Sequence, residues 1–303
     1  MYSVVKHNFA SPKTIGIAFA FIAAIGFSTK AIMVKLAYVE GVDAITLLAL
    51  RMAFSVPFFL AVAFHSSTNT SSVSLTNKDK SVVVALGLIG YYLASYLDFM
   101  GLQFISAGLE RLILFLYPTM VVIISTLIYK NRVGRTVLLA LFISYAGIAL
   151  VFLHDMRVLQ HDALLGSILV FASALAYAIY LVGAGQIISK IGATRFTAYA
   201  MTVACVACLF QFVVTHTLVD LQLSPRVYGL SVAMAIFSTV LPAFLLAEAM
   251  KRIGSSYTAM VGSAGPVSTI YLAYIFLGEQ LSVVQVCGSI LVLVGVLMIG
   301  LRK

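Results

Sequence analysis

Long apolar runs, each broken by a short polar or charged stretch, occupy the chain from about residue 14 to residue 301. A helix needs about 20 apolar residues to cross the hydrocarbon core of a bilayer. The breaks predict spans at 14–37, 43–64, 81–103, 107–129, 134–153, 163–188, 194–218, 226–249, 254–277 and 282–301. None shows the ten-residue in–out alternation of a transmembrane strand. In hydrocarbon only helices and closed barrels satisfy their own backbone. The pattern therefore predicts an all-α polytopic membrane protein with ten transmembrane helices. The first run continues through Lys30 past any reasonable signal-peptide cleavage point, so it reads as a retained helix. The longest polar connection, 65–80, is rich in Ser, Thr and Asn and predicts a flexible loop.

Composition sharpens this picture. Of 303 residues, 62% are hydrophobic and only 10% charged, too few charges to cover a soluble domain. The formal net charge of +9 has a topological explanation. Lys6, Lys13, Lys78, Lys80, Lys130, Arg132, Arg135, Lys190, Arg195, Lys251, Arg252, Arg302 and Lys303 fall in the N-terminal segment, the C-terminal segment and every second connection. The alternate connections hold only Arg157 and Arg226, against Glu40, Asp43, Asp155, Asp162, Asp220 and Glu279. The positive-inside rule then predicts that both termini are cytoplasmic, in a cytoplasmic (inner) membrane of bacterial type. No nucleic-acid partner is needed to account for the charge; the expected partners are the lipid bilayer and a small-molecule substrate.

The two halves share a pattern. Placing Pro118 over Pro266 aligns "FLYPTMVVIISTLIY" with "SAGPVSTIYLAYIFL", and the same offset of 148 places Gly147 over Gly295. Five predicted helices per half is an odd number, so the second copy must lie inverted, the arrangement of many secondary transporters. Pro118 and Pro266 each remove a backbone donor within a span and predict helix breaks. Enzyme chemistry finds no support: there is no metal cluster, phosphate loop or nucleophile elbow, and no cofactor is expected. The CxxC at Cys205 and Cys208 sits in an apolar run and reads as helix packing.

"FSTKAIMVKLAYVEGVDAITLLALRMAFSVPFFL" (27–60), "LDFMGLQFISAGLERLILFLYPT" (97–119) and "AGPVSTIYLAYIFLGEQLS" (264–282) resemble the EamA-type carriers of the drug/metabolite transporter superfamily. The resemblance covers essentially the whole chain. It implies two five-helix repeats, 1–153 and 154–303, forming one transport unit. It also implies a central cavity lined chiefly by the third, fourth, eighth and ninth helices, with the first and sixth contributing. Members move amino acids, other metabolites or drugs. Each half of such carriers often ends its fourth helix with Gly-Glu; Gly278–Glu279 keeps this pair, whereas the first half has Lys130–Asn131.

Charges within spans are costly and are functional candidates by default. Lys30, Lys35, Arg51, Arg111, Asp98, Glu110 and Glu248 are the seven. At 1.5 Å of rise per residue, Arg51 lies about 5 Å and Lys30 about 8 Å from their helix midpoints. Lys35 and Glu248 lie near helix ends, where snorkelling explains them. Helical spacing places Tyr91, Ser95 and Asp98 on one face, Glu110 and Tyr117 on another, and Ser173, Tyr177 and Tyr180 on a third. Arg111 reads as an interfacial anchor or gate, snorkelling outward or pairing with Asp98. The candidate substrate or gating residues are therefore Lys30, Arg51, Tyr91, Ser95, Asp98, Glu110, Tyr117, Tyr177, Tyr180 and Ser263. Both charge signs beside tyrosines suit a zwitterion such as an amino acid, moved by alternating access, with export the expected direction. Apolar surroundings favour the neutral form of a carboxyl, which makes protons the candidate coupling ion. Efflux of hydrophobic cations is the rival, opposed by Lys30 and Arg51; a membrane scaffold or sensor is a rival of another class.

Overall fold

A computed structural model describes residues 12–68, 75–129, 135–158, 162–262, 264–280 and 282–300. Among these residues the regular elements are all helical. They are α1 (Pro12–Val39), α2 (Ala44–Thr68), α3 (Asn77–Gly87), α4 (Ala94–Leu102), α5 (Ala107–Leu114), α6 (Tyr117–Tyr129) and α7 (Arg135–Val158). The series continues with α8 (Ala163–Ile191), α9 (Ala193–Thr215), α10 (Pro225–Ala235), α11 (Leu241–Gly262), α12 (Ala264–Leu277) and α13 (Val283–Gly300). Among the described residues seven helical stretches are long and apolar enough to cross a membrane, and Leu138–Val151, Gly265–Leu277 and Val283–Gly295 are shorter apolar helices.

Two π turns interrupt otherwise continuous helices. Leu88–Leu93 joins α3 to α4, and Ile236–Val240 joins α10 to α11. They begin 148 residues apart, the same offset that superposes the two prolines. A second break separates α5 from α6. Pro118 has no N–H to donate to the carbonyl of Leu114, and at this point Leu116 N–H turns back to Ile113 O at 3.0 Å.

One predicted boundary differs. The Lys251–Arg252 pair suggested a loop at 250–253, yet α11 runs straight through it. The segment has no proline, and Arg252 Nε donates to Glu248 Oε1 at 2.8 Å, an i,i+4 pair that supports a helix. In the first half the equivalent position is a true turn, residues 103–106, closed by Ser106 capping α5.

Helices approach one another through small residues, as helix pairs in hydrocarbon do. A Cβ on Gly147 of α7 would stand 2.6 Å from Gly288 O of α13, and one on Gly295 of α13 would lie 2.6 Å from Ala140 O of α7. At the α4–α8 crossing, Gly101 and Gly166 are equally close, each blocking a Cβ on the other at 2.9 Å. The central core packs Leu47, Leu48, Met52 and Phe59 of α2 against Phe99 and Leu102 of α4 and Met201 and Cys205 of α9. Outward surfaces carry Phe142, Phe210, Val213, Tyr271 and Phe276, all more than half exposed. Such a surface is suited to lipid rather than water.

Candidate functional site

Three helices bring charge to one point. Lys30 of α1 donates from Nζ to Asp98 Oδ2 of α4, and also to Glu110 Oε1 of α5 at 3.1 Å. The lysine side chain is 12% exposed, the aspartate 4% and the glutamate 0%. One cation thus faces two carboxylates. Their remaining oxygens, Asp98 Oδ1 and Glu110 Oε2, are buried with no donor among the described residues. Buried acceptors without donors are rare and costly, so this cluster is short of one positive or hydrogen-donating group.

Ser106 starts α5, its Oγ accepting from Leu109 N at 3.1 Å. This cap fixes where the helix begins and so where Glu110 points. Arg111, one residue on, turns away from that ion pair. Its guanidinium lies against α12, where a Cβ on Gly265 would be 2.5 Å from Nη2, and its Nε is buried without an acceptor. The expectation of an interfacial anchor, or of a partner in Asp98, is therefore corrected: Asp98 already belongs to Lys30, and the bare glycine face of α12 admits Arg111 to the interior. Gly265 is held in turn by Ser28 of α1, whose Oγ donates to Gly265 O at 2.9 Å.

Arg51 stands apart. It is 4% exposed, Nη2 donates to Ser95 Oγ at 3.1 Å, and the guanidinium rests 4.7 Å over the Phe99 ring. Among the described residues no carboxylate lies within ion-pair distance of it, and Nε is unpartnered.

The tyrosines form a row. Tyr117 meets Tyr177 edge-on at 5.2 Å, Tyr177 stacks on Tyr180 at 5.6 Å, and Tyr180 packs on Tyr91 at 4.8 Å. Tyr180 Oη donates to Tyr91 Oη at 3.0 Å. The Tyr180 ring sits where Gly90, in the π turn, has no side chain; a Cβ there would be 2.2 Å from the ring. Arg111 lies within electrostatic range of Glu110 on one side and of Tyr117 and Tyr177 on the other, linking the charge cluster to the row.

Tyr91, Ser95 and Asp98 were expected on one face. They reach instead to three helices: Tyr91 to α8, Ser95 to α2, Asp98 to α1. The π turn, with its i→i+5 closure, changes the angular step between Tyr91 and the other two; Ser95 and Asp98 share the regular helix α4 and meet different neighbours because α1 and α2 both pack near it. Ser173 spends its hydroxyl on Ala94 O at 2.7 Å and joins no site. Ser263 and the Lys130–Asn131 pair lie outside the described residues. Pro266 is buried near the start of α12.

Two residues named in the sequence were not chosen as site candidates. Glu279, following Gly278 at φ +66°, accepts from Ala107 N at 3.0 Å and Gly108 N at 3.4 Å. Lys35, set aside as a snorkelling residue, lies within electrostatic range of both Glu279 and Glu110. The acidic residue after a glycine at a helix end was visible; its partner, a helix start 171 residues away, was not.

Apolar helices of membrane-crossing length around a buried polar and charged interior define a polytopic integral membrane protein. The chain matches the EamA-like transporter family over residues 14–153 and again over 164–301, and it belongs to that family. It is a membrane transporter and not an enzyme. Among its relatives, the uncharacterized transporter YcbK of Bacillus subtilis (strain 168) is 30% identical over 277 residues, covering 90% of this chain and 88% of that one. The uncharacterized transporter YyaM of the same organism is 27% identical over 229 residues, 74% of each chain. An uncharacterized transporter of Archaeoglobus fulgidus is 25% identical over 226 residues, 75% of this chain and 79% of its own. A solved crystal structure with 15% identity superposes with a TM-score of 0.66 over 94% of this chain and 96% of that one, which shows a shared fold. The bacterial relatives fit a place in the cytoplasmic membrane.

Proposed function

We propose that this transporter moves small zwitterionic metabolites, amino acids or close relatives, by alternating access between two inverted five-helix repeats. One observation carries the substrate class. Among the described residues two buried carboxylate oxygens, Asp98 Oδ1 and Glu110 Oε2, lack donors, and a buried donor on the residue after Glu110, Arg111 Nε, lacks an acceptor. An ammonium group would satisfy the first pair and a carboxylate the second, on one small molecule flanked by Tyr117 and Tyr177. A hydrophobic cation would meet Lys30, Arg51 and Arg111, so efflux of such compounds is the weaker reading.

The repeats, 1–153 and 154–303, are supported by π turns that begin at residues 88 and 236, one offset apart. Both termini are placed in the cytoplasm by the lysine and arginine distribution, and export is the direction we assign. A proton is the coupling ion that fits, since one bound between Asp98 and Glu110 supplies the missing donor when substrate leaves.

The test is counterflow of labelled amino acids in proteoliposomes. Glu110→Gln, Arg111→Gln and Arg51→Gln are each expected to abolish exchange with insertion intact. Normal exchange in all three would overturn the site, and counterflow indifferent to an imposed pH gradient would overturn the proton.

A further inference from the structure

The Glu279 carboxylate crosses between the two halves of the chain. It follows α12, yet it satisfies the first two N–H groups of α5, while Ser106 Oγ satisfies the third. Those N–H groups have no partner within their own helix, and a carboxylate at a helix N-terminus is favoured further by the helix dipole. The glutamate is itself held: Gly278 turns the chain with φ +66°, and Glu279 N–H donates back to Ala273 O at 3.3 Å. α5 is the short helix that carries Glu110 and Arg111. The turn after Leu114 interrupts the helix between α5 and α6. Lys35 of α1 lies in electrostatic range of both Glu279 and Glu110.

We propose that Glu279 is the latch of the outer gate. It positions α5, and with it Glu110 and Arg111, in the closed arrangement, and opening toward the outside separates Glu279 from Ala107 and Gly108. The side of the membrane rests on the orientation proposed above; the latch itself rests on the contacts.

The experiment reads accessibility and needs no substrate. Ile270 of α12 packs under the latch, 3.6 Å from where a Cβ on Gly108 would stand. Ile270→Cys, in a protein with Cys287→Ser, is labelled with a membrane-impermeant maleimide on whole cells and on inverted vesicles. Cys205 and Cys208 are buried, and their continued protection certifies the fold in the same sample. Glu279→Gln, which trades two charge-assisted hydrogen bonds for one neutral one, is expected to raise labelling from the outside about tenfold, and Glu279→Ala further. Ala107→Pro reaches the latch from its other partner. Proline is well suited to the first position of a helix and simply lacks the N–H, and Ser106 before it is already extended with ψ 155°. It should match Glu279→Gln. Gly108→Ala, whose Cβ has 3.6 Å of room, should label like the parent. Unchanged labelling in Glu279→Ala overturns the latch, and increased labelling only in inverted vesicles overturns its assignment to the outer side. If labelling rises as expected while no amino acid is exchanged, the latch stands and the substrate reading falls.

Discussion

Replacing Lys30 with methionine isolates the electrostatic centre of the molecule. The lysine is the shared partner of Asp98 and Glu110, both nearly or wholly removed from solvent. Removing one member of a buried ion pair leaves an uncompensated charge and costs about 3–5 kcal/mol. Here two carboxylates are orphaned together, so Lys30→Met should lie at or above the upper end of that range. Against a total stability on the order of 5–15 kcal/mol, this is a severe loss. Neutralising the carboxylates as well should recover most of it: the triple variant Lys30→Met, Asp98→Asn, Glu110→Gln leaves no charge in the lysine–carboxylate cluster itself. The chain has no tryptophan, but Cys205 and Cys208 are buried and become reactive on unfolding. A thiol-reactive fluorogenic dye on purified Cys287→Ser protein therefore reports the transition. The expected order of stability is wild type, then the triple variant close behind, then Lys30→Met far below. A Lys30→Met protein within about 0.5 kcal/mol of wild type, the range of an ordinary surface change, would refute the reasoning. A triple variant no better than the single would do the same.

Further expectations follow from individual contacts. Arg51→Met removes a buried guanidinium with no carboxylate partner, so the variant should unfold no more readily than wild type in the thiol assay while losing exchange activity. Gly265→Ala puts a methyl where Arg111 Nη2 now rests, and because that side chain is long and can withdraw, exchange should fall with stability nearly unchanged. Gly90→Ala cannot be absorbed so easily: the Tyr180 ring is 2.2 Å from the new Cβ, and overpacking of this kind costs about 1–3 kcal/mol. Tyr180→Phe removes only the hydrogen bond to Tyr91 and should cost about 0.5–1.5 kcal/mol.

The helical class was legible in the sequence because hydrocarbon imposes it, and the spans follow from run length. The failures have physical causes. Lys251–Arg252 was read as a loop because charge usually marks a boundary, yet Glu248 one turn earlier keeps both residues helical. The π turn at Leu88–Leu93 leaves no compositional mark, so the angular relation of Tyr91 to Ser95 and Asp98 was not legible. Lys30, Asp98 and Glu110 were each recognisable as intramembrane charges. That one lysine serves both carboxylates depends on three helices meeting, which periodicity along one helix does not report. Arg111 was misread for the same reason: its environment is the bare backbone of Gly265, 154 positions further along the chain.

The five charges at the centre all belong to the first half. At the offset of 148, Lys30, Arg51, Asp98, Glu110 and Arg111 fall over Ala178, Tyr199, Leu246, Thr258 and Ala259. Exchanging the roles of the two halves, the geometric operation that interconverts inward and outward forms in an ideal inverted repeat, therefore does not carry the site onto itself. Under the alternating-access reading proposed above, no symmetry then equates the two end states, and the half-saturation concentrations measured from the two faces are expected to differ. A driving gradient would fix the net direction of flux, while the kinetic one-sidedness would come from which half of the chain holds the charges.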